Sequence, residues 1–405
     1  MNLFKISWRN LLDKPLSSFL SGLLMTFGIT IISLLLLLGR QLTEQFTRNS
    51  KGIDMVLGAK GSPLQLILSS VYQVDAPTGN IPFDEAQRLT RNPMIKTAIP
   101  LAMGDSYRSF RIVGTNQQYL QHFGATVIEG KPFANDLEVV IGPRVAAVTG
   151  LTIGATFAGS HGLDGNGEDH DEKVYKVVGI LSPTNTVADQ LILTNVSSIW
   201  ALHEHHDEAG GTEHHEDADA DPAEAPHEIT SMLIKFRNPM GMMLARGINQ
   251  NSKLQAALPQ IEINRLFELM GVGIENLQKL AIAIMLIAGV SVFVSLYNSL
   301  KDRRYEMALM LSMGATRTQL FGMLLLEGLA LALIGFVLGV VLSRVGLLLF
   351  SARVESQYHY DLTSLAILPE EWLLLAGAIG VGILAAALPA LGVYRMNISR
   401  TLAEE

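Results

Sequence analysis

The sequence predicts an α-helical membrane protein, with four transmembrane helices and one large mixed α/β domain outside the membrane. Three observations predict it. Four apolar segments of roughly 20 residues or more, each long enough for a hydrocarbon core of ~30 Å, lie along the 405 residues. Lys and Arg gather at one alternate set of segment ends. Between the first two segments, Gly and Pro punctuate short β-branched runs, as in a folded domain.

Residues 1–39 hold an amphipathic opening and the first span, from about Leu16 to Leu38. Lys5, Arg9 and Lys14 precede it as they would precede a signal peptide. The apolar run is too long for one, and no small-residue cleavage pattern follows Leu38, so the segment reads as a retained anchor.

Residues 40–276 form the outer domain. Strands are expected at Arg111-Ile-Val-Gly, Leu137-Glu-Val-Val-Ile, Tyr175 to Leu181, Gln190-Leu-Ile-Leu and Ser231 to Phe236. Helices are expected near Asp84–Arg91, Arg144–Thr149, Val196–Leu202 and Leu254–Leu258, with Asp84 and Asn195 as N-caps. Glu262 to Leu280 has apolar residues at helical spacing and is expected to run into the second span as a stalk. With no cysteine anywhere, this domain must be held by its core alone, and it is large enough for that. Met240, Met242 and Met243 suit soft metals, but the favoured reading is packing in a core or linker.

Two acidic, His-bearing stretches interrupt the domain, residues 159–172 with His161 and His170, and residues 203–228. The second carries His203, His205, His206, His214, His215 and His227. Imidazole with carboxylate suits zinc, nickel or copper, so weak, exchangeable Zn2+ binding on a flexible loop is the expectation. The alternative is a hydrophilic spacer. A zinc peptidase would need H-E-x-x-H, and His203-Glu204-His205-His206 is followed by Asp207.

The second span occupies residues 277–300, a short turn 301–319, the third span 320–343, an outer loop 344–371, the fourth span 372–394 and a tail 395–405. If each segment crosses once, Lys5, Arg9, Lys14, Lys301, Arg303, Arg304, Arg317, Arg395 and Arg400 fall on one side. Both termini are then cytoplasmic. The net charge of −8 concentrates outside, which excludes nucleic acid as a partner. No G-x-x-x-x-G-K-[ST] loop is present, so any ATP is used by a separate subunit and the chain is not itself an enzyme.

Within the third span Glu327 is an ionisable residue two turns deep, and such residues mark function by default. The competing reading is a carboxyl kept neutral or hydrogen-bonded in the bundle. Gly335, Gly339 and Ser343 recur every four residues, a close-packing stripe that supports oligomerisation. The turn reads KDRRYEMALMLSMGATRTQ. It predicts a helix from Arg303 to Met313 with Met307, Met310 and Leu311 on one face, stopped by Gly314, and suited to docking onto a soluble partner.

These residues resemble a known family. Arg304 to Gln319, with Glu306, Gly314, Ala315 and Thr316, is similar to the cytoplasmic coupling helix of MacB/FtsX/LolC-type ABC transporter permeases. The likeness continues through Glu327 and the Gly335/Gly339 helix to the Leu388-Pro-Ala-Leu-Gly-Val-Tyr-Arg tail. Ser7-Trp-Arg-Asn-Leu-Leu-Asp-Lys-Pro resembles the family's opening segment, and the stretch from Leu137 to Leu202 its periplasmic core, with the His-bearing loops as insertions. Leu311 and Ile398 depart from it, standing where Arg and Pro are more usual. The resemblance implies a mechanotransmission permease of a bacterial inner membrane, paired with an identical or related permease and clasped to a dimer of ABC ATPases. Arg303, Arg304, Glu306, Gly314 and Ala315 are then the expected ATPase-coupling residues. The His loops point to a zinc- or metal-linked system, with a periplasmic binding protein as a further partner. The rivals are lipoprotein or lipid extraction, and activation of a periplasmic enzyme without transport.

Overall fold

The computed structural model describes residues 6–7, 9, 15–161, 169–203, 227–358 and 367–395. It divides into a unit of residues 43–268 and a second unit made of residues 1–42 with 269–405.

The first unit is the mixed α/β domain. Its strands are β1 (Met55–Ala59), β2 (Ile81–Pro82), β3 (Ile95–Tyr107), β4 (Phe110–Thr115), β5 (Val127–Gly130), β6 (Glu138–Ile141), β7 (Thr156–His161), β8 (Asp169–Leu181), β9 (Ile192–Asn195), β10 (Glu228–Ile229), β11 (Ser231–Phe236) and β12 (Leu254–Ala257). The main sheet runs β12-β1-β11-β3-β4-β9-β6-β8-β5, and β7 bridges β3 to β8. Hydrogen bonding therefore returns to its start through β3, β4, β9, β6, β8 and β7, a closed ring in which the β4–β9 and β6–β8 pairs are parallel. A register shift between Met103 and Ser106 lets the long β3 serve both the open sheet and the ring.

Both faces of the sheet are covered. Met55, Leu57, Ile112, Val139, Ile141, Tyr175, Val177 and Ile192 enter one core, while Val56, Val113, Val140, Val178 and Leu193 enter the other. Successive side chains on a strand point to opposite faces, so a two-sided sheet needs unbroken apolar runs rather than alternation. That is why Leu137-Glu-Val-Val-Ile and Tyr175 to Leu181 were legible as strands. Short helices cover the faces. Phe83–Thr90, Val196–His203 and Met242–Asn251 bring Ala86, Ile199, Leu202, Ala245 and Ile248 to the first core, while Pro63–Ser70 brings Leu66 and Ile67 to the second.

Three expectations for this unit are corrected. Leu254–Ala257 is a strand, not a helix; it lies at the sheet's edge with Val56 opposite Ala257 and Leu57 opposite Ala256. Four residues carry too little periodicity to separate the two states, and the open edge of β1 decides. Asp84 is not the N-cap. Pro82 holds that position, and Asp84 sits in the first turn, where its charge favours the helix dipole. Met240, Met242 and Met243 are exposed rather than packed.

Lys131 and Glu138 close the entrance to β6. Glu138 accepts from Lys131 Nζ at 2.8 Å and from the N–H groups of Ala134 and Asn135 at 3.0 and 3.1 Å. The ammonium first, then the two amides, hold its carboxyl down at about 2. The folded value lies below the unfolded one, so this contribution is complete above pH ~4.5 and is lost as pH falls toward 2. Urea unfolding of the full chain at pH 6, 4 and 3 should show stability declining through that window. Glu138→Gln should be weaker at pH 6 and flatter below it.

The second unit carries the membrane helices. Among the described residues, four helices are long and apolar enough to cross a bilayer: α1 (Pro15–Ser50), α2 (Pro259–Asp302), α4 (Arg317–Tyr358) and α5 (Pro369–Ala390). A shorter helix, α3 (Arg304–Ser312), lies between α2 and α4. The stalk expected from Glu262 to Leu280 lies within α2, which is unbroken from Pro259. In hydrocarbon, helices gain little from apolar burial against one another and rely on close packing. Small residues supply it here. A Cβ on Gly328 would lie 2.7 Å from the Gly382 carbonyl oxygen, and one on Gly28 3.3 Å from the Met285 Cβ.

Candidate functional site: the turn between α2 and α4 and the polar points of the bundle

The turn between α2 and α4 is built from local signals in sequence. α2 ends at Asp302, and Arg303 leaves helical geometry to cap α3, with Arg303 Nε 3.9 Å from the Glu306 carboxylate. At the far end the Gly314 N–H donates to the Leu311 carbonyl and the Ala315 N–H to Met310, closing α3 with a Schellman motif. Gly314 has φ +99°, a conformation that side chains rarely adopt. The next helix then starts with a capping box. Gln319 N–H donates to Thr316 Oγ1 at 3.2 Å, and Thr316 N–H to Gln319 Oε1 at 2.9 Å. Arg317 donates to the Tyr394 carbonyl at 2.9 Å. The Thr-x-x-Gln box was legible in the sequence as a helix start, but only the Gly stop was read.

α3 is oriented by its apolar face. Met307 and Ala308 are buried, and with half-buried Met310 and Leu311 they pack on Leu300, Leu320, Leu324, Ala390 and Val393. The apolar face that the spacing marks is thus the one that anchors the helix to its own bundle. Turned outward are Arg304, Glu306 and a second apolar line, Tyr305, Leu309 and Met313, which are 42%, 43% and 72% exposed. These three are four residues apart, so they form one strip. Periodicity found α3, but a nine-residue helix with apolar residues on two faces does not say which faces in.

Glu327 is buried in α4, only 2% exposed. Gly335 and Gly339 lie against α1. A Cβ on either would fall 2.7 Å from Met25 Cγ or Ile29 Cγ2, and Thr30 Oγ1 donates to the Gly339 carbonyl at 3.2 Å. Ser343 continues the line to Ser33, oxygen to oxygen 2.9 Å. The small-residue stripe is therefore occupied within the chain, which corrects its reading as an oligomerisation face.

One polar point was missed. Glu371, in the first turn of α5, has a side chain 1% exposed and receives Arg344 from α4 in a two-pronged pair, with Arg344 Nη2 to Glu371 Oε2 at 2.7 Å. Ser33 Oγ donates to Glu371 Oε1 at 2.6 Å, and the Leu368 N–H to Oε2 at 3.1 Å. α1, α4 and α5 converge on this carboxylate. The signal was Arg344 at one end of a single loop and the Glu370-Glu371 pair at the other, at the ends of two spans, where an unmatched charge is costly. Their pairing needs the fold.

Of the His-rich stretch, His205, His206, His214 and His215 lie outside the described residues. His203 ends the helix Val196–His203. The His227 ring meets the Trp200 ring at 4.2 Å, edge to face, and its carbonyl accepts from the Phe83 N–H. His161 and His170 stand in β7 and β8, and residues 162–168 between them lie outside the described residues. Among the described residues no three His, Asp or Glu side chains gather as a metal site.

Two family descriptions match the chain. An FtsX-like permease C-terminal family matches residues 279–398, and a MacB-like periplasmic core domain matches residues 18–238, just over half of the sequence. Two solved structures are similar at 13% identity each. The periplasmic region of MacB from Actinobacillus actinomycetemcomitans aligns with 55% of this chain and 97% of its own at a TM-score of 0.34. The extracellular domain of the noncanonic ABC-type transporter YknZ from Gram-positive bacteria aligns with 50% and 98% at 0.30. No curated protein matches the sequence.

Proposed function

The chain belongs to the MacB/FtsX-type family of ABC transporter permeases, and from that premise we propose that it is a bacterial inner-membrane subunit driven by a separate ABC ATPase. It works as one of a pair of permeases, with both termini cytoplasmic, and relays nucleotide-driven closure to its periplasmic domain. The observation that carries this reading is α3. Its inner face is pinned to the bundle by Met307 and Ala308, while Tyr305, Leu309 and Met313 with Arg304 and Glu306 are left outward as a compact docking surface. A helix fixed on one side and bare on the other passes a push to the helices flanking it. α2, one of those helices, is unbroken from Pro259 to Asp302, which supports the relay. Arg303, Gly314 and Ala315 hold the ends of α3 and act through its position.

Co-purification from membranes tests the reading. Full-length chain should bring down an ABC ATPase whose hydrolysis rate rises severalfold in the complex. A chain that returns without an ATPase, or with one whose rate is indifferent to it, would count against the proposal.

The His-rich residues 203–228 support a metal-linked role, with Zn2+ held weakly by His203, His205, His206, His214, His215 and His227. Zinc needs neutral imidazole, so affinity should fall as pH drops through ~6.5. Calorimetry on full-length chain and on a deletion of residues 203–227, at pH 7.5 and 5.5, reads this directly. Equal binding by both, or none by either, leaves the spacer reading.

A further inference from the structure

Along one side of the membrane unit, α1 and α4 enclose an apolar groove of about 410 Å³. Phe19, Leu23 and Phe27 form one wall, and Leu331, Leu338 and Leu342 the other. The close approach of the two helices at Gly335 and Gly339 sets its depth, and Gly22 leaves a notch in its floor, since a Cβ there would meet nothing within 4 Å. Phe19 and Leu338 are more than half exposed along its rim, and Phe27 is 47% exposed. Pro15 to Phe27 covers about 18 Å of helix at 1.5 Å per residue. One leaflet of a ~30 Å hydrocarbon core is about 15 Å deep. The groove has the length of a single acyl chain.

Its Pro15 end differs chemically from the rest. Ser7 Oγ donates to the Met323 carbonyl at 3.1 Å, which ties the N-terminal segment to α4 about two turns before Leu331. Arg9 is exposed on that segment, and Lys5, Asp13 and Lys14 flank it in sequence, leaving the stretch net positive. None of the residues lining the groove is charged. The surface is thus an apolar slot with a basic end.

We propose that this groove is a binding site for an anionic phospholipid, with one acyl chain along α1 and α4 and the phosphate at Arg9. A second copy of the chain is the poorer occupant. Two copies related by an axis normal to the membrane share one orientation, so pairing through this face would bring both basic ends together at the same depth. An anionic headgroup neutralises that end instead. The assignment to the cytoplasmic leaflet rests on the topology proposed above, whereas the occupancy of the groove does not.

Native mass spectrometry of the full chain in mild detergent tests it. Phosphatidylglycerol and phosphatidylcholine with identical acyl chains are supplied together. Wild type should hold one phosphatidylglycerol per chain with at least a fivefold preference. Gly22→Phe, which fills the notch, and Leu338→Trp, which fills it from the other wall, should each cut bound lipid at least tenfold. Arg9→Gln should keep a lipid and lose most of the preference. Wild-type binding in both filled variants, or no preference in the wild type, overturns the site. So does a disulfide-linked dimer formed in membranes by Leu338→Cys, which would put a second copy in the groove; the natural chain has no cysteine to confuse that result. A topology reporter fused after Asp302 separates the two claims, because activity outside the cell overturns the leaflet and leaves the lipid result standing.

Discussion

Gly314→Pro is expected to abolish ATPase stimulation, by at least tenfold, while the chain still inserts in the membrane. Gly314 holds φ +99° and donates its N–H to Leu311. Proline fixes φ near −65° and removes the donor, so the Schellman closure of α3 cannot form. Gly314→Ala keeps the donor and meets open space, leaving only the left-handed penalty of about 1 to 2 kcal/mol, and should fall between. Leu309→Asp tests the outer strip without touching the closure. It should weaken ATPase capture and leave detergent stability unchanged, because Leu309 lies outside the core that Met307 and Ala308 enter. Stimulation measured with the co-purified complex decides it. Full coupling in both Gly314→Pro and Leu309→Asp would sink the docking assignment.

Arg344→Ala or Glu371→Ala should cost the bundle about 3 to 5 kcal/mol, since removing one partner strands the other charge in a dry site. Glu371 is the more sensitive position because Ser33 and the Leu368 N–H lose their acceptor with it. Arg344→Lys should recover only part, because an ammonium cannot make the two-pronged contact. The double variant Arg344→Met with Glu371→Leu should be markedly more stable than either single alanine variant, since it buries no unpaired charge. Ser33→Ala should cost about 1 kcal/mol. Unfolding in detergent, followed by accessibility of a reporter cysteine at Ala378, reads all five. Single alanine variants as stable as wild type would show that the pair contributes nothing to holding α1, α4 and α5 together.

Much of the fold was legible because the signals were local. Apolar length marks a span within one segment, and β-branched runs bounded by Gly and Pro mark a strand within six residues. Tyr175 to Leu181 and Ser231 to Phe236 were found that way. The edge strand at Leu254 was not, because what makes it a strand is the vacant edge of β1, some 200 residues earlier. The turn between α2 and α4 was equally local. Its helix, predicted from Arg303 to Met313 and observed from Arg304 to Ser312, depends on spacing and on Gly314 alone.

By itself, then, the sequence determined the four apolar helices, the mixed α/β domain between the first two, and the short helix with its glycine stop. Each follows from periodicity, length or turn chemistry among neighbours in the chain. Only the tertiary structure decided which way these elements face. It turned Met307 and Ala308 inward, used Gly335 and Gly339 against Met25 and Ile29 within the chain, and joined Arg344 to Glu371 across a loop. A helix with apolar residues on two sides has two low-cost orientations until its neighbours fill one, and a buried charge gains its partner only when two distant segments meet.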